Sequence, residues 1–331
     1  MYSNKAKVSV IVAVFNAPEF FLDRCINSLL QQTLKEIEII LVNDASTSQE
    51  TADTLDKYSK YDNITIISHS VNKKGGGAWN TGMNAAQGEF IGFVDQDDYV
   101  DKRMYQLLYE KAIESDSDIV ICSVKRVNNQ GAILGVREAS ENIKKNTVVW
   151  DKIYRKSMIK KNNLSCIENT TVADWFTSMC MMYASKISIV NQELYWYVEH
   201  KYSSVSNQRF WIAEAMKSEN YFFKECKKRG LLKEYADEIN FLYFYRYFWN
   251  GYKSILKYEI DSLSVLQKML EFMSSKNISI HDRAIKENLN KKFWKELWIL
   301  SYYPKLFKVY TSIKYFKYEK SHIVNCDEIN D

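Results

Sequence analysis

The chain has 331 residues, 46% of them hydrophobic, enough to bury a core in one large domain or two smaller ones. A net charge of +4, from 45 Lys and Arg against 41 Asp and Glu, argues against nucleic acid as a partner. Two prolines and ten glycines argue against long disordered linkers, and no apolar run approaches the ~18–20 residues that span a bilayer.

In chain order, Val8–Phe15 is a β-branched run suited to a strand buried on both faces. Asn16 and Ala17 turn the chain, and Pro18 opens a helix whose apolar face is Phe21, Leu22, Cys25, Ile26, Leu29 and Leu30. Ile37–Val42 predicts a second strand, ending in Asn43-Asp44-Ala45-Ser46. Thr47 to Glu50 reads as a capping box for the next helix, with Leu55 and Tyr58 on its apolar side. Ile64–Ser68 is a third strand, followed by Lys73-Lys74-Gly75-Gly76-Gly77 and a helix over Ala78–Ala86. Phe90–Val94 is a strand, Asp101–Ser115 a helix, Ile119–Val124 a strand and Asn128–Gly131 a hairpin turn. This alternation predicts an α/β sheet with helices on both faces. Ligands of such sheets sit at the C-terminal strand ends, near the point where strand order reverses. The G-x-G-x-x-G fingerprint is missing after the first strand, which argues against an ordinary NAD-binding enzyme.

The six cysteines, Cys25, Cys122, Cys166, Cys180, Cys226 and Cys326, lack C-x-x-C spacing and follow no signal peptide, so they read as reduced cytosolic thiols. His69, His200, His281 and His322 are scattered and form no zinc spacing. The stretch Phe90–Tyr99 carries more information. Its apolar run ends in Asp95, Asp97 and Asp98, three carboxylates within four positions. Carboxylates so close repel one another and resist desolvation. A helix N-terminus needs one of them, whereas a divalent cation shared with a substrate phosphate explains the group. On an extended backbone Asp95 and Asp97 are expected to project to one side.

The order of motifs resembles a family 2 glycosyltransferase of the GT-A fold. The matching pieces are Val8–Asn16, Leu29–Thr33, Asp44–Ser46, the glycine-rich segment through Asn80-Thr81-Gly82, and Gly88–Asp98. Further on, Asp151–Arg155 is similar to the family's N-K-L-Y-[RK] segment, Thr171–Phe176 lies at its Glu-Asp pair, and Tyr195 through Ser206 resembles its closing stretch. The likeness covers residues 6–207. It implies a GT-A, Rossmann-like nucleotide-diphospho-sugar transferase domain over 1–207; the residue pattern beyond it predicts a helical C-terminal domain over 208–331. The likeness implies that Asp44 accepts the N3–H of uracil, with Phe15 and the backbone at Ala13 framing the base. Asp95 would contact the ribose or the metal shell, and Asn80 and Gln96 would join the nucleotide-sugar site. Asp97, with His200 nearby, would hold Mn²⁺ or Mg²⁺. Asp174 would be the general base of an inverting transfer from a UDP-sugar to a hydroxyl of a glycan or lipid-linked acceptor.

Several residues depart from the family pattern. Asn43 stands at a frequent Asp, Ala13 at a common Pro and Ala173 at the Glu before the base. Trp79 stands at an Arg, so a nucleotide-facing cation is lost or replaced by stacking; Lys73 or Lys74 could supply charge, or be a solvated loop. Trp79 and Ala173 keep open a degenerate binding subunit that holds a nucleotide sugar without turnover. A nucleotidyltransferase is the third reading, although Phe15-Asn16-Ala17-Pro18 is unlike its G-x-G-T-R-type loop.

Beyond residue 208, Phe210–Arg229, Lys233–Lys257, Ile260–Lys276 and Arg283–Phe316 read as helices. Phe241–Trp249 is hydrophobic almost all round and predicts a buried helix. Seven lysines between Lys291 and Lys317 mix with Trp and Tyr. That mixture suits a membrane interface, and equally a solvated helix with an aromatic core face. The expectation is a cytoplasmic enzyme of capsule or cell-surface polysaccharide assembly, with peripheral contact to the inner face of the cytoplasmic membrane as one option.

Overall fold

The computed structural model describes residues 6–170, 174–200, 208–249, 262–289 and 291–307. Two compact units divide the chain, Met1–Ser206 and Asn207–Asp331. In chain order the first unit runs β1 (Val8–Val14), α1 (Glu19–Leu30), β2 (Ile37–Asn43), α2 (Gln49–Tyr58), β3 (Ile64–Ser68), α3 (Lys74–Ala85), β4 (Phe90–Asp95), β5 (Tyr99–Val100) and α4 (Met104–Ser115). It continues with β6 (Ile119–Asn128), β7 (Ile133–Arg137), β8 (Lys152–Arg155), α5 (Lys156–Lys161), α6 (Asp174–Tyr183) and β9 (Ile187–Glu199).

The valines of β1 and its Ile11 are fully buried, because the strand lies mid-sheet with side chains packed on both faces. The sheet order is β3-β2-β1-β4-β8-β6-β9-β5, with β7 on β6. The first four strands are parallel, and β8 runs antiparallel to β4. The chain steps outward from β1 through β2 to β3, then crosses back to place β4 on the other side of β1. Register aligns three strand ends at that switch: Val14 lies opposite Asn43, and Ala13 opposite Asp95. The α/β expectation holds, and the polar strand ends gather on one edge.

Three local expectations change. The capping residue of α2 is Ser48, whose hydroxyl accepts the N–H of Thr51, because the N–H of Thr47 is taken by Asn16 Oδ1 at 2.8 Å. Glu50 does not close a capping box; its carboxylate accepts the N–H of Glu19. Helix α3 begins at Lys74, so the three glycines form its first turn. Low helix propensity is overridden by a close approach: a Cβ on Gly76 would overlap the carbonyl oxygen of Ile167.

In the second unit, helices span Gln208–Lys228, Ala236–Tyr243, Ser262–Ser274, Arg283–Asn288 and Lys291–Tyr302. The aromatic run is buried as expected at Phe241, Leu242, Tyr243, Phe244, Tyr247 and Phe248, but from Phe244 to Trp249 the helix widens to π geometry. The last predicted helix is broken, with Leu289 extended between its two described parts. Trp298, Tyr302, Tyr303 and Leu306 are exposed. Among the described residues no helix is long and apolar enough to cross a membrane. The lysine-rich stretch beyond residue 307, His322, Cys326 and the predicted helix over 250–257 lie outside the described residues.

Candidate active site

The site is built from the loops that follow β1, β2 and β4. Phe15 leaves β1 half in solvent, at 43% exposure, and its main chain is clamped from β4. Its N–H donates to Gln96 Oε1 at 2.8 Å, and Gln96 Nε2 donates back to its carbonyl at 3.3 Å. The side chain of Gln96 thus continues the β1–β4 ladder by one step, with both ends of its amide on the protein backbone. Asn16 takes a positive φ of 46°, a region Asn tolerates, and holds the next loop through Thr47 and Ser48. Ala13, in β1 two residues before Phe15, sits between Val42 and Asp95.

Asp44, the first residue past β2, is almost fully buried. Its Oδ1 lies 2.6 Å from His69 Nδ1 and accepts the N–H of Lys73 at 2.9 Å. His69 Nε2 lies 2.8 Å from the Thr81 hydroxyl on α3, and Asn72 donates to the Asp44 carbonyl. Asp44 is not a helix cap, since Ser48 fills that role. Lys73 contributes its backbone here, and Lys74 opens α3 at φ 56°. Asn43 uses its side-chain carbonyl to accept the N–H of Ser46.

The acidic group divides by environment. Strand β4 ends at Asp95, and Gln96-Asp97 form a turn closed by the Asp98 N–H on the Asp95 carbonyl. Asp95 and Asp97 therefore do not alternate along an extended strand as expected; the turn sets their separation. Asp98 is buried and doubly held, accepting from the Tyr195 hydroxyl at 2.7 Å and from the Val198 N–H at 2.8 Å. Burial, and then the charges of Asp97 and Asp95, push its carboxyl well above the ordinary range. Burial, and then Asp97, push Asp95 up to about 7. Asp97 is partly open, its side chain 29% exposed, and its Oδ2 lies 2.8 Å from His200 Nε2. The His200 ring stacks on Phe21 with centroids 4.6 Å apart, and its Nδ1 is buried without a partner. Arg24 donates to the Asp97 carbonyl at 3.1 Å and lies over the Tyr99 ring.

The remaining residues sit on α3 and α6. Asn80 donates to the Cys166 carbonyl at 2.9 Å and accepts its N–H at 2.7 Å. With Gly76 donating to the Thr170 carbonyl and Asn169 donating to that of Lys73, it ties residues 166–170 onto α3. Asp174, the first residue of α6, follows this tied segment; Ala173 lies outside the described residues. Trp79 does not take up nucleotide stacking as its ring is only 6% exposed and packs edge-on against Phe93. The five described cysteines are free and buried, as expected of packed thiols.

Among the described residues no group of three or more His, Cys, Asp or Glu side chains is gathered to hold a metal ion. Asp97 and His200 are one carboxylate and one imidazole in contact. A Mg²⁺- or Mn²⁺-type ion is commonly held by one or two protein ligands and completed by substrate phosphate and water. The donor set fits an ion that arrives with a diphosphate. Sequence reasoning missed His69, Asn72, Thr81 and Tyr195 as parts of this site. Each acts on a residue from another element; Thr81 and Tyr195 fall within matching segments, but the match gave them no role.

The model of "Glycosyl transferase family 2" matches residues 9–185. The uncharacterized glycosyltransferase EpsJ of Bacillus subtilis is 34% identical over 58% of this chain and 61% of its own length. The "Putative glycosyltransferase EpsH" of the same organism is 31% identical over 70% of this chain and 73% of its own length. The crystal structure of residues 1–349 of Staphylococcus aureus TarS, a poly(ribitol-phosphate) β-N-acetylglucosaminyltransferase, in complex with UDP-GlcNAc superposes with a TM-score of 0.73. It is 22% identical, over 95% of this chain and 92% of that one.

Proposed function

The chain belongs to glycosyl transferase family 2 and has the GT-A fold, and we propose that it moves a sugar from a UDP-sugar to a hydroxyl of a glycan or lipid-linked acceptor in cell-surface polysaccharide synthesis. The observation that carries this reading is the alignment of Asp44, Phe15 and Asp95 at the ends of adjacent parallel strands, with Asp97 one turn on. That edge presents a base-sized aromatic, a buried carboxylate and an acidic turn in the order of a nucleoside diphosphate's parts. The UDP-GlcNAc complex of TarS, a protein of the same fold, supports the choice of donor.

In this reading the exposed ring of Phe15 frames the uracil, and Asp44 accepts its N3–H. Asp95 faces the ribose. Gln96 and Asn80 are positioning residues, because both ends of each amide hold backbone. Asp97 and His200 would hold a divalent cation, which supplies neutralisation of charge on the diphosphate. Asp174, at a helix N-terminus, takes the proton from the acceptor hydroxyl. One base in a single displacement inverts the anomeric centre.

The test is UDP release from a panel of UDP-sugars with Mn²⁺ and without acceptor. A transferase releases UDP slowly by hydrolysis. Tight UDP-sugar binding with no release from any sugar would reduce the chain to a binding subunit.

A further inference from the structure

We infer that His69 is a positioning residue that fixes the Asp44 carboxylate and so sets the preference for uracil over cytosine in the donor nucleotide; this rests on the donor's base sitting at Asp44, as proposed above.

His69 is the first residue after β3, and its own N–H donates to the Asn43 carbonyl at 2.9 Å. Its side chain is 7% exposed and that of Asp44 3%. The ring is gripped at both nitrogens, by Asp44 Oδ1 at 2.6 Å and by the Thr81 hydroxyl at 2.8 Å. With Nδ1–H donating to the carboxylate, Nε2 is the atom that accepts from the Thr81 hydroxyl. The Lys73 N–H adds a second donor to the same Oδ1, and Asn72 holds the Asp44 carbonyl. Three elements, β2, β3 and α3, therefore converge on one carboxylate.

The consequence lies in the other oxygen. Asp44 Oδ2 accepts no hydrogen bond from any described residue. On a side chain only 3% exposed, that oxygen is the one left open to a hydrogen supplied by a ligand. Uracil carries N3–H and meets that need. Cytosine presents a bare N3 lone pair to the same oxygen and is repelled. The selection works only while the carboxylate is held still, since a free Asp side chain could turn away from cytosine at little cost. Holding it is the part of His69, with Thr81 behind it.

The experiment measures UDP and CDP binding by calorimetry with Mn²⁺ for the full chain and for His69→Leu, His69→Asn and Thr81→Val. The unaltered protein is expected to prefer UDP by ~10-fold or more, the scale of one hydrogen bond to a charged group. In His69→Leu the UDP affinity falls by about that factor and CDP changes little, so the ratio collapses. His69→Asn places an amide N–H near the position of Nδ1 and restores most of the ratio, whereas Thr81→Val loses part of it. A merely structural role would weaken both nucleotides together. A folded His69→Leu with the original ratio overturns the inference. Should that variant not fold, Thr81→Val decides, because it keeps shape and removes the second anchor; an unchanged ratio there is equally fatal. If the unaltered protein binds UDP and CDP alike, it is the placement of uracil at Asp44 that fails instead.

Discussion

Tyr195 donates its hydroxyl hydrogen to Asp98 at 2.7 Å, and the same oxygen accepts the N–H of Asp95 at 3.2 Å. One side chain of β9 thus holds both ends of the acidic turn. Asp98, adjacent to the proposed cation ligand, is the member of the group that binds the protein to itself. Tyr195→Phe keeps the ring, which stacks on Trp150 at 4.2 Å, and removes both bonds. The buried Asp98 oxygen is then left without its donor. The expected loss is about 1–3 kcal/mol of stability, read as a lower midpoint in urea. UDP binding should weaken as well, because the turn carrying Asp97 loses its anchor.

Much of this architecture is legible in sequence because the strands buried on both faces are continuous β-branched runs, as at Val8–Val14 and Ile37–Asn43, and their order exposes the switch point. The division of labour within the site is not legible. Asp95, Asp97 and Asp98 look equivalent until Tyr195, a hundred positions later, selects one of them. Gln96 and Asn80 look like ligand contacts, since a sequence cannot show that both ends of an amide are already engaged. His69 looks isolated because its partners, Asp44 and Thr81, come from two other elements. The start of α3 is misplaced for a related reason: glycine argues against helix locally, and the backbone of 167–170 that requires glycine there is ninety positions away.

The raised Asp95 carboxyl makes stability depend on pH in a definite direction. It shifts from an ordinary 3.8 to about 7 through burial and then the charge of Asp97. Between those values the folded chain keeps a proton that the unfolded chain has released. The contribution is therefore complete below about pH 4 and lost as pH rises through about 7. Without divalent ions, the ion-free protein should lose more stability from pH 5 to pH 8 than Asp95→Asn does, measured by urea denaturation. A cation favours the ionised carboxylates, so the rise in melting temperature on adding Mn²⁺ with UDP should be larger at pH 8 than at pH 5.5. Equal shifts at the two values would remove the acidic turn from the binding event.

The tie between α3 and residues 166–170 predicts a separation of binding from turnover. Gly76→Ala forces a methyl group onto the Ile167 carbonyl, and Asn80→Ala deletes two hydrogen bonds to Cys166. Each change should cost about 1–3 kcal/mol of stability. Each also loosens the segment that leads to Asp174. Turnover should then fall by an order of magnitude or more while UDP affinity changes only a few-fold, a misplacement effect at the proposed base. Measurement of UDP-sugar turnover beside UDP binding separates the two, and a parallel loss of both would make the tie a contribution to folding alone.

Asp97 and Asp174 should fail in opposite ways. Asp97 pairs with His200 at 2.8 Å on the open side of the turn, where a cation and diphosphate would meet the chain. Asp97→Asn keeps the side chain's size and removes the charge that attracts the ion. Metal-dependent UDP binding should vanish, while any weak metal-independent binding through Asp44 persists. Asp174→Asn removes the proposed acceptor of the hydroxyl proton and leaves Asp44 and Asp97 in place. UDP affinity with Mn²⁺ should therefore remain within about twofold, and transfer should fall by roughly 10²–10⁴-fold, the usual contribution of a general base. Retained transfer in Asp174→Asn assigns the base to another residue. Retained metal-dependent binding in Asp97→Asn removes the cation from this turn, and with it the reason for three carboxylates at the end of β4.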